Sequence, residues 1–243
     1  MFMDRTLFLT GAGGAIGRAV ARSFLESGAN IFLTDLRADA LEDFAASLGS
    51  RDRVRFVQAD VGEPAQVADA VGRCVATFGG IDFVVPMAGL YPERAFTATS
   101  VEEWKKTIDV NLTGVFLACR EAISSLRDDS AIVLVSSIAA HRGSALHAHY
   151  AAAKGGVLSL MRSLAIELAP KTRVNAVSPG IIATEMTRDL VAARGDQLVA
   201  QTPLRRFGRP EEIAAIVQFL CSDAASFITG ETIHANGGLY IDG

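Results

Sequence analysis

The sequence is short of cysteine, histidine, proline and charge of any one sign. Three cysteines and four histidines are spread over 243 residues. Cys74, Cys119 and Cys221 lie far apart, odd in number and in no metal-ligand spacing. They read as buried apolar thiols in a reducing compartment, which excludes a disulfide framework and suggests no metal site. Lysine plus arginine number 23 and aspartate plus glutamate 27, giving a net charge of −4. The two signs are interspersed, so no basic face or run invites nucleic acid or an anionic membrane. The apolar segments are short and broken by charge, too short to span a bilayer. No signal peptide is expected, since Asp4 and Arg5 lead directly into a strand-like run at residues 7–9. The expectation from these absences is a cytoplasmic protein.

Half of the residues are hydrophobic and only seven are proline. That supports one large core over residues 1–243, without linker, repeat or low-complexity segment. Short aliphatic or β-branched runs occur at 6–10, 29–34, 54–58, 81–85, 131–135 and 173–177. Between them, apolar residues recur at helical spacing, as in Val67, Ala70, Val71 and Cys74. Strands alternating with helices predict right-handed crossovers and a doubly wound α/β unit, a parallel sheet of about seven strands with helices on both faces. Residues 102–126 read as one long helix. Another is predicted from near Tyr150 to Pro170, with a final helix near 210–222 and a last strand near 232–235. Residues 184–201 are polar and irregular, and a substrate lid is expected within about 184–208.

The first strand runs into Gly11, Gly13, Gly14, Ala15, Ile16 and Gly17, and a helix is predicted from 18 to 27. Strand, glycine turn and helix N-terminus together form a phosphate site, with backbone N–H groups and the positive end of the helix dipole facing the ligand. The register is not the usual G-x-G-x-x-G. Asp35 ends the second strand, 18 residues after Gly17. A carboxylate there accepts hydrogen bonds from adenosine ribose hydroxyls and repels a 2′-phosphate. The glycine loop contains no arginine. Arg37 alone points the other way, so NAD(H) is expected over NADP(H). Asp60 and Val61 follow the third strand. Asp60 suits the adenine amine or a helix N-cap ahead of Pro64, and the two roles are compatible. Tyr150 and Lys154 share a helix face. Ser137 lies thirteen residues before Tyr150, just past a buried strand, where strand C-termini line the ligand crevice. Asn111 places an amide in an otherwise apolar stretch.

In this order and spacing, the glycine loop, Asp60, Ala88-Gly89, Asn111, Ser137, Tyr150-Ala-Ala-Ala-Lys154, Pro179-Gly180 and Thr184 resemble the short-chain dehydrogenase/reductase family over essentially the whole chain. The resemblance implies an oxidoreductase that moves a hydride between a nicotinamide dinucleotide and a carbonyl/alcohol pair. Tyr150 would be the general acid in reduction and, as phenolate, the base in oxidation. The free phenol pKa of about 10 is too high for that base role. The Lys154 ammonium and the oxidised nicotinamide are expected to lower it. Lys154 would also hold the nicotinamide ribose, Ser137 would bond the substrate oxygen, and Asn111 would hold a water leading to solvent. Residues 179–184, including Pro179, Gly180, Ile182 and Thr184, would bind the carboxamide edge. Leu36 would lie beside the adenosine, and the chain would assemble as a homotetramer, as relatives do. Pro86 and Met87 replace the two asparagines that usually precede Ala88-Gly89, so strand pairing there is expected to differ. Ala15 replaces a usual glycine.

Leu90, Tyr91, His141, Leu146, His147 and Met186 are the candidate substrate contacts. They suit a partly apolar secondary alcohol or its ketone. The rival roles are a 3-oxoacyl-[acyl-carrier-protein] reductase, which normally uses NADPH, a sugar or polyol dehydrogenase, and a non-catalytic dinucleotide sensor.

Overall fold

Residues 1–50 and 52–241 are described by a computed structural model. Seven strands, all parallel, form one sheet in the order β3-β2-β1-β4-β5-β6-β7. They are β1 (Thr6–Thr10), β2 (Asn30–Asp35), β3 (Val54–Gln58), β4 (Ile81–Pro86), β5 (Leu126–Val135), β6 (Thr172–Pro179) and β7 (Thr232–Ala235). Winding reverses between β1 and β4, which opens a crevice at the strand C-termini. Alternate strand residues feed two cores. Leu7, Leu9, Ile31 and Val133 pack under α1 (Ala15–Glu26) and α9 (Pro210–Cys221). Phe8, Phe32, Ile132 and Val174 pack under α3 (Pro64–Phe78), α5 (Gly114–Ile123) and α7 (Ala148–Glu167).

The remaining helices are α2 (Ala38–Ser47), α4 (Val101–Ile108), the short α6 (Ala139–Arg142) and α8 (Arg188–Gln201). The start of α4 is fixed by a capping box. Ser100 Oγ accepts from Glu103 N at 3.1 Å, and Glu103 Oε2 accepts from Ser100 N at 3.0 Å. Such a cap is worth about 1 kcal/mol.

Three expectations need correction. Residues 102–126 are not one helix. After α4 comes a π-helical turn, Asp109–Thr113, then α5, which ends at Ile123. Leu126 already belongs to β5 and pairs with Ile81. The chain reverses there because Arg127 is drawn to Asp82, donating to its Oδ2 at 2.6 Å. Asp82 Oδ1 also accepts from Arg5 Nε at 3.2 Å, and Oδ2 from Thr6 N at 2.8 Å. This nearly buried carboxylate thus ties β1, β4 and β5 together.

Second, Pro86 does not end the pairing of β4 with β1, since Thr10 lies opposite it. Thr10 Oγ1 then accepts from Met87 N at 3.1 Å and Ala88 N at 3.3 Å. A hydroxyl at the end of β1 does the tying expected of the missing asparagines. Third, residues 184–201 are ordered as a 3₁₀ turn, Glu185–Thr187, and α8, which is broken at Arg194 (φ −141°). The base of this segment is closed by Ile182 and Gly208, which bridge. Gly208 N donates to Ile181 O at 2.9 Å and Ala183 N to Gly208 O at 3.0 Å.

Candidate active site

A cleft of about 1710 Å³ runs across the C-terminal ends of the strands. The dinucleotide end begins at Gly11, whose φ of +67° favours glycine. A Cβ there would come within 2.6 Å of Ala88 N, and one on Gly17 would collide with Gly11 O. The backbones are therefore as close as the chain permits. Helix α1 has Gly14 at its N-cap and no side-chain cap, so among the described residues its first N–H groups have no side-chain acceptor and face the cleft.

Gly13 N donates to Asp35 Oδ2 at 2.8 Å, and Arg37 N to Oδ1 at 3.2 Å. This carboxylate is fixed at the end of β2 beside the loop. Arg18 escaped the sequence reading. Its guanidinium donates to Gly13 O at 3.0 Å and Ala40 O at 3.1 Å and lies over Phe44, bracing the loop from below. Asp60 lines the cleft, but it does not cap α3, whose N-cap is Glu63. Instead its Oδ1 accepts from Gly62 N at 2.9 Å. Leu36, Val61, Ala88, Gly89, Pro179, Gly180, Ile182 and Thr184 also line the cleft. Uncapped amides, a ribose-height carboxylate and small residues where backbones meet fit a dinucleotide.

At the other end, β5 delivers Ser137 and α7 delivers Tyr150 and Lys154. The Ser137 hydroxyl lies beside the Tyr150 phenol and acts to lower its pKa. Lys154 Nζ donates to Val135 O at 2.9 Å and lies 5.8 Å from the centre of the Tyr150 ring. The π turn rotates Asn111 into the interior. Its Nδ2 donates to Leu90 O and Thr107 O, both at 3.0 Å, and its Oδ1 accepts from Leu90 N at 3.3 Å. One Oδ1 lone pair remains for the expected water.

Burial pushes the Tyr150 phenol up to about 12, against the pull of Ser137, and pulls Lys154 down to about 8. The expected lowering by Lys154 is thus absent in the protein alone. Its ammonium bonds a carbonyl rather than the phenol oxygen, and desolvation outweighs it. Ionising the phenol is left to the positive ring of an oxidised dinucleotide. Without dinucleotide, the phenolate absorbance that separates the wild type from Tyr150→Phe should emerge only towards pH 12. A raised pKa keeps the acid neutral below that pH. Oxidised dinucleotide should move the midpoint down by about 1–3 pH units. An unmoved midpoint would mean that the nicotinamide charge does not reach Tyr150.

Leu90, Tyr91, Leu146, His147 and Met186 line the substrate end, joined by Glu93, Arg142 and Ser144, which the sequence reading missed. The pocket is more polar than expected. His141 is a correction. It is turned behind the cleft, with Nε2 3.0 Å from Ser178 Oγ and its ring against His234 and Tyr240.

With this geometry in place, comparison with known proteins is informative. A family model described as enoyl-(acyl carrier protein) reductase matches residues 11–240. The 3-oxoacyl-[acyl-carrier-protein] reductase FabG of Staphylococcus epidermidis is 34% identical over 98% of this chain and 100% of its own. That of Salmonella typhimurium is 34% identical over 99% of both. A Brucella melitensis crystal structure titled short-chain dehydrogenase/reductase SDR:Glucose/ribitol dehydrogenase is 52% identical. It superposes with a TM-score of 0.98 over 99% of this chain and 98% of that one. The chain belongs to the short-chain dehydrogenase/reductase family. It is an oxidoreductase of that family, and its fold is the family's Rossmann-type sheet. The activities in the names of these relatives differ, so family membership leaves the substrate open. Among the described residues no helix is long and apolar enough to cross a membrane.

Proposed function

We propose that the protein is an NAD(H)-dependent dehydrogenase of secondary alcohols, or reductase of the matching ketones. The observation that carries this reading is the convergence of Ser137, Tyr150 and Lys154 on one end of a cleft whose other end holds Asp35 against the glycine loop. Bound there, the dinucleotide supplies or accepts the hydride. The chain supplies position and protons. The amides at the start of α1 hold the pyrophosphate, Asp35 the adenosine ribose and Lys154 the nicotinamide ribose. Ser137 bonds the substrate oxygen as negative charge grows on it. In reduction, the Tyr150 phenol gives its proton to that oxygen. In oxidation, Tyr150 as phenolate takes the alcohol proton. Proton exchange with solvent runs from Tyr150 past Lys154 to a water on Asn111 Oδ1.

Asp35 separates this reading from 3-oxoacyl-[acyl-carrier-protein] reduction, the activity in the names of the 34%-identical relatives. The discriminating experiment is a paired fluorescence titration with NADH and NADPH. The wild type should bind NADH more tightly, and Asp35→Ser should shift the ratio of the two Kd values towards NADPH by about 10- to 100-fold. Preferential NADPH binding by the wild type would overturn the use of Asp35 and bring the acyl-carrier reading forward.

A further inference from the structure

Next to Tyr150 lies an aromatic wall. The Tyr91 ring meets the Tyr150 ring edge-on at 4.7 Å, and the His147 ring stacks on Tyr91 at 3.8 Å, nearly parallel. The loop carrying His147 is held tightly. Arg94 N donates to Leu146 O at 2.7 Å, and Leu146 has a φ of +66°, a costly conformation for a leucine. His147 Nδ1 lies 2.8 Å from Ala145 O. A carbonyl only accepts, so Nδ1 carries the proton and Nε2 bears a lone pair. Among the described residues no protein atom bonds Nε2, and His147 borders the cleft.

We propose that His147 Nε2 is a second polar anchor for the substrate, accepting a hydrogen bond from a hydroxyl a few bonds from the reacting carbon. The preferred substrates are then hydroxy ketones and diols rather than simple ketones and alcohols. The inference rests on the dehydrogenase reading and names its substrate class. An acceptor lone pair repels a carboxylate, and the pull of Glu93 towards a charged ring is outweighed by burial. Burial keeps the ring neutral by lowering its pKa. Ser144 Oγ, 3.2 Å from Tyr91 Oη and 3.3 Å from Nδ1, locks both members of the stack. The anchor is therefore preorganised, which limits the ordering cost of binding.

The test is kcat/KM for matched pairs, 1-hydroxy-2-butanone with 2-butanone and 1,2-butanediol with 2-butanol. The wild type should favour the hydroxylated member by about 10- to 100-fold. His147→Phe keeps a stacking ring but loses the lone pair, and should bring the ratio within each pair to about one. His147→Gln restores an acceptor and should recover most of the preference. Turnover by the wild type without preference, or a preference that survives in His147→Phe, would overturn the anchor alone. Failure to turn over any pair with either dinucleotide would overturn the dehydrogenase reading and the anchor with it.

Discussion

A Tyr150→Phe enzyme is expected to reduce its ketone about 10²- to 10⁴-fold more slowly, because only the proton-transferring oxygen is lost. The ring remains, edge-on to Tyr91, so the pocket keeps its shape. Lys154 keeps its bond to Val135 O and stays available for the ribose. Dinucleotide affinity should therefore change by less than about tenfold, the worth of one neutral hydrogen bond. Fluorescence titration gives the affinity and steady-state kinetics the rate. A variant with most of its turnover intact would remove Tyr150 from the chemistry. A variant that also lost dinucleotide binding would show that the phenol serves chiefly to hold the cofactor.

The second large effect is on stability. Asp82→Ala is expected to destabilise the fold by about 3 kcal/mol, since it strips the shared partner from Arg5 and Arg127 and leaves Thr6 N unpaired at a buried position. Both guanidinium groups are partly exposed and water recovers some of the loss, which keeps the figure below that of a fully buried triad. For a chain of this size Tm should fall by about 6–12 °C. Arg127 also holds Phe78 O at 2.7 Å, so the loss loosens the turn that feeds β4. Denaturant and thermal unfolding of wild type and variant give the difference. A loss below about 0.5 kcal/mol would reduce the network to a surface ornament on three strands already held by their ladders.

Much of this was legible in the residues, for different reasons in different places. The sheet could be read because strands buried on both faces leave continuous apolar runs, such as Leu7-Phe8-Leu9. The glycine loop could be read because close approach of backbones leaves no choice of residue. The break after α4 could not, because a π turn keeps helical periodicity while advancing the register by one residue. The end of α5 depends on Arg127 meeting Asp82, 45 residues away in sequence, and no local pattern carries that. Helix α8 was missed because it has polar residues all round and a break at Arg194, which erases amphipathic periodicity. His141 and His147 look alike in sequence, both close to Tyr150. The turn at Gly143 (φ +75°) lies between them, and one ring packs against His234 and Tyr240 while the other borders the cleft.

The bridge between Ile182 and Gly208 has a consequence for how this scaffold diversifies. Its two rungs fix both ends of the segment between residues 183 and 207 a few residues from Pro179. Whatever lies between is then a loop with a clamped stem. Lengthening it changes the closure entropy by only about 0.6 kcal/mol per doubling, and the sheet need not register the change. The segment between can be rewritten as one cassette, while Tyr150 and Lys154 on α7 stay where they are.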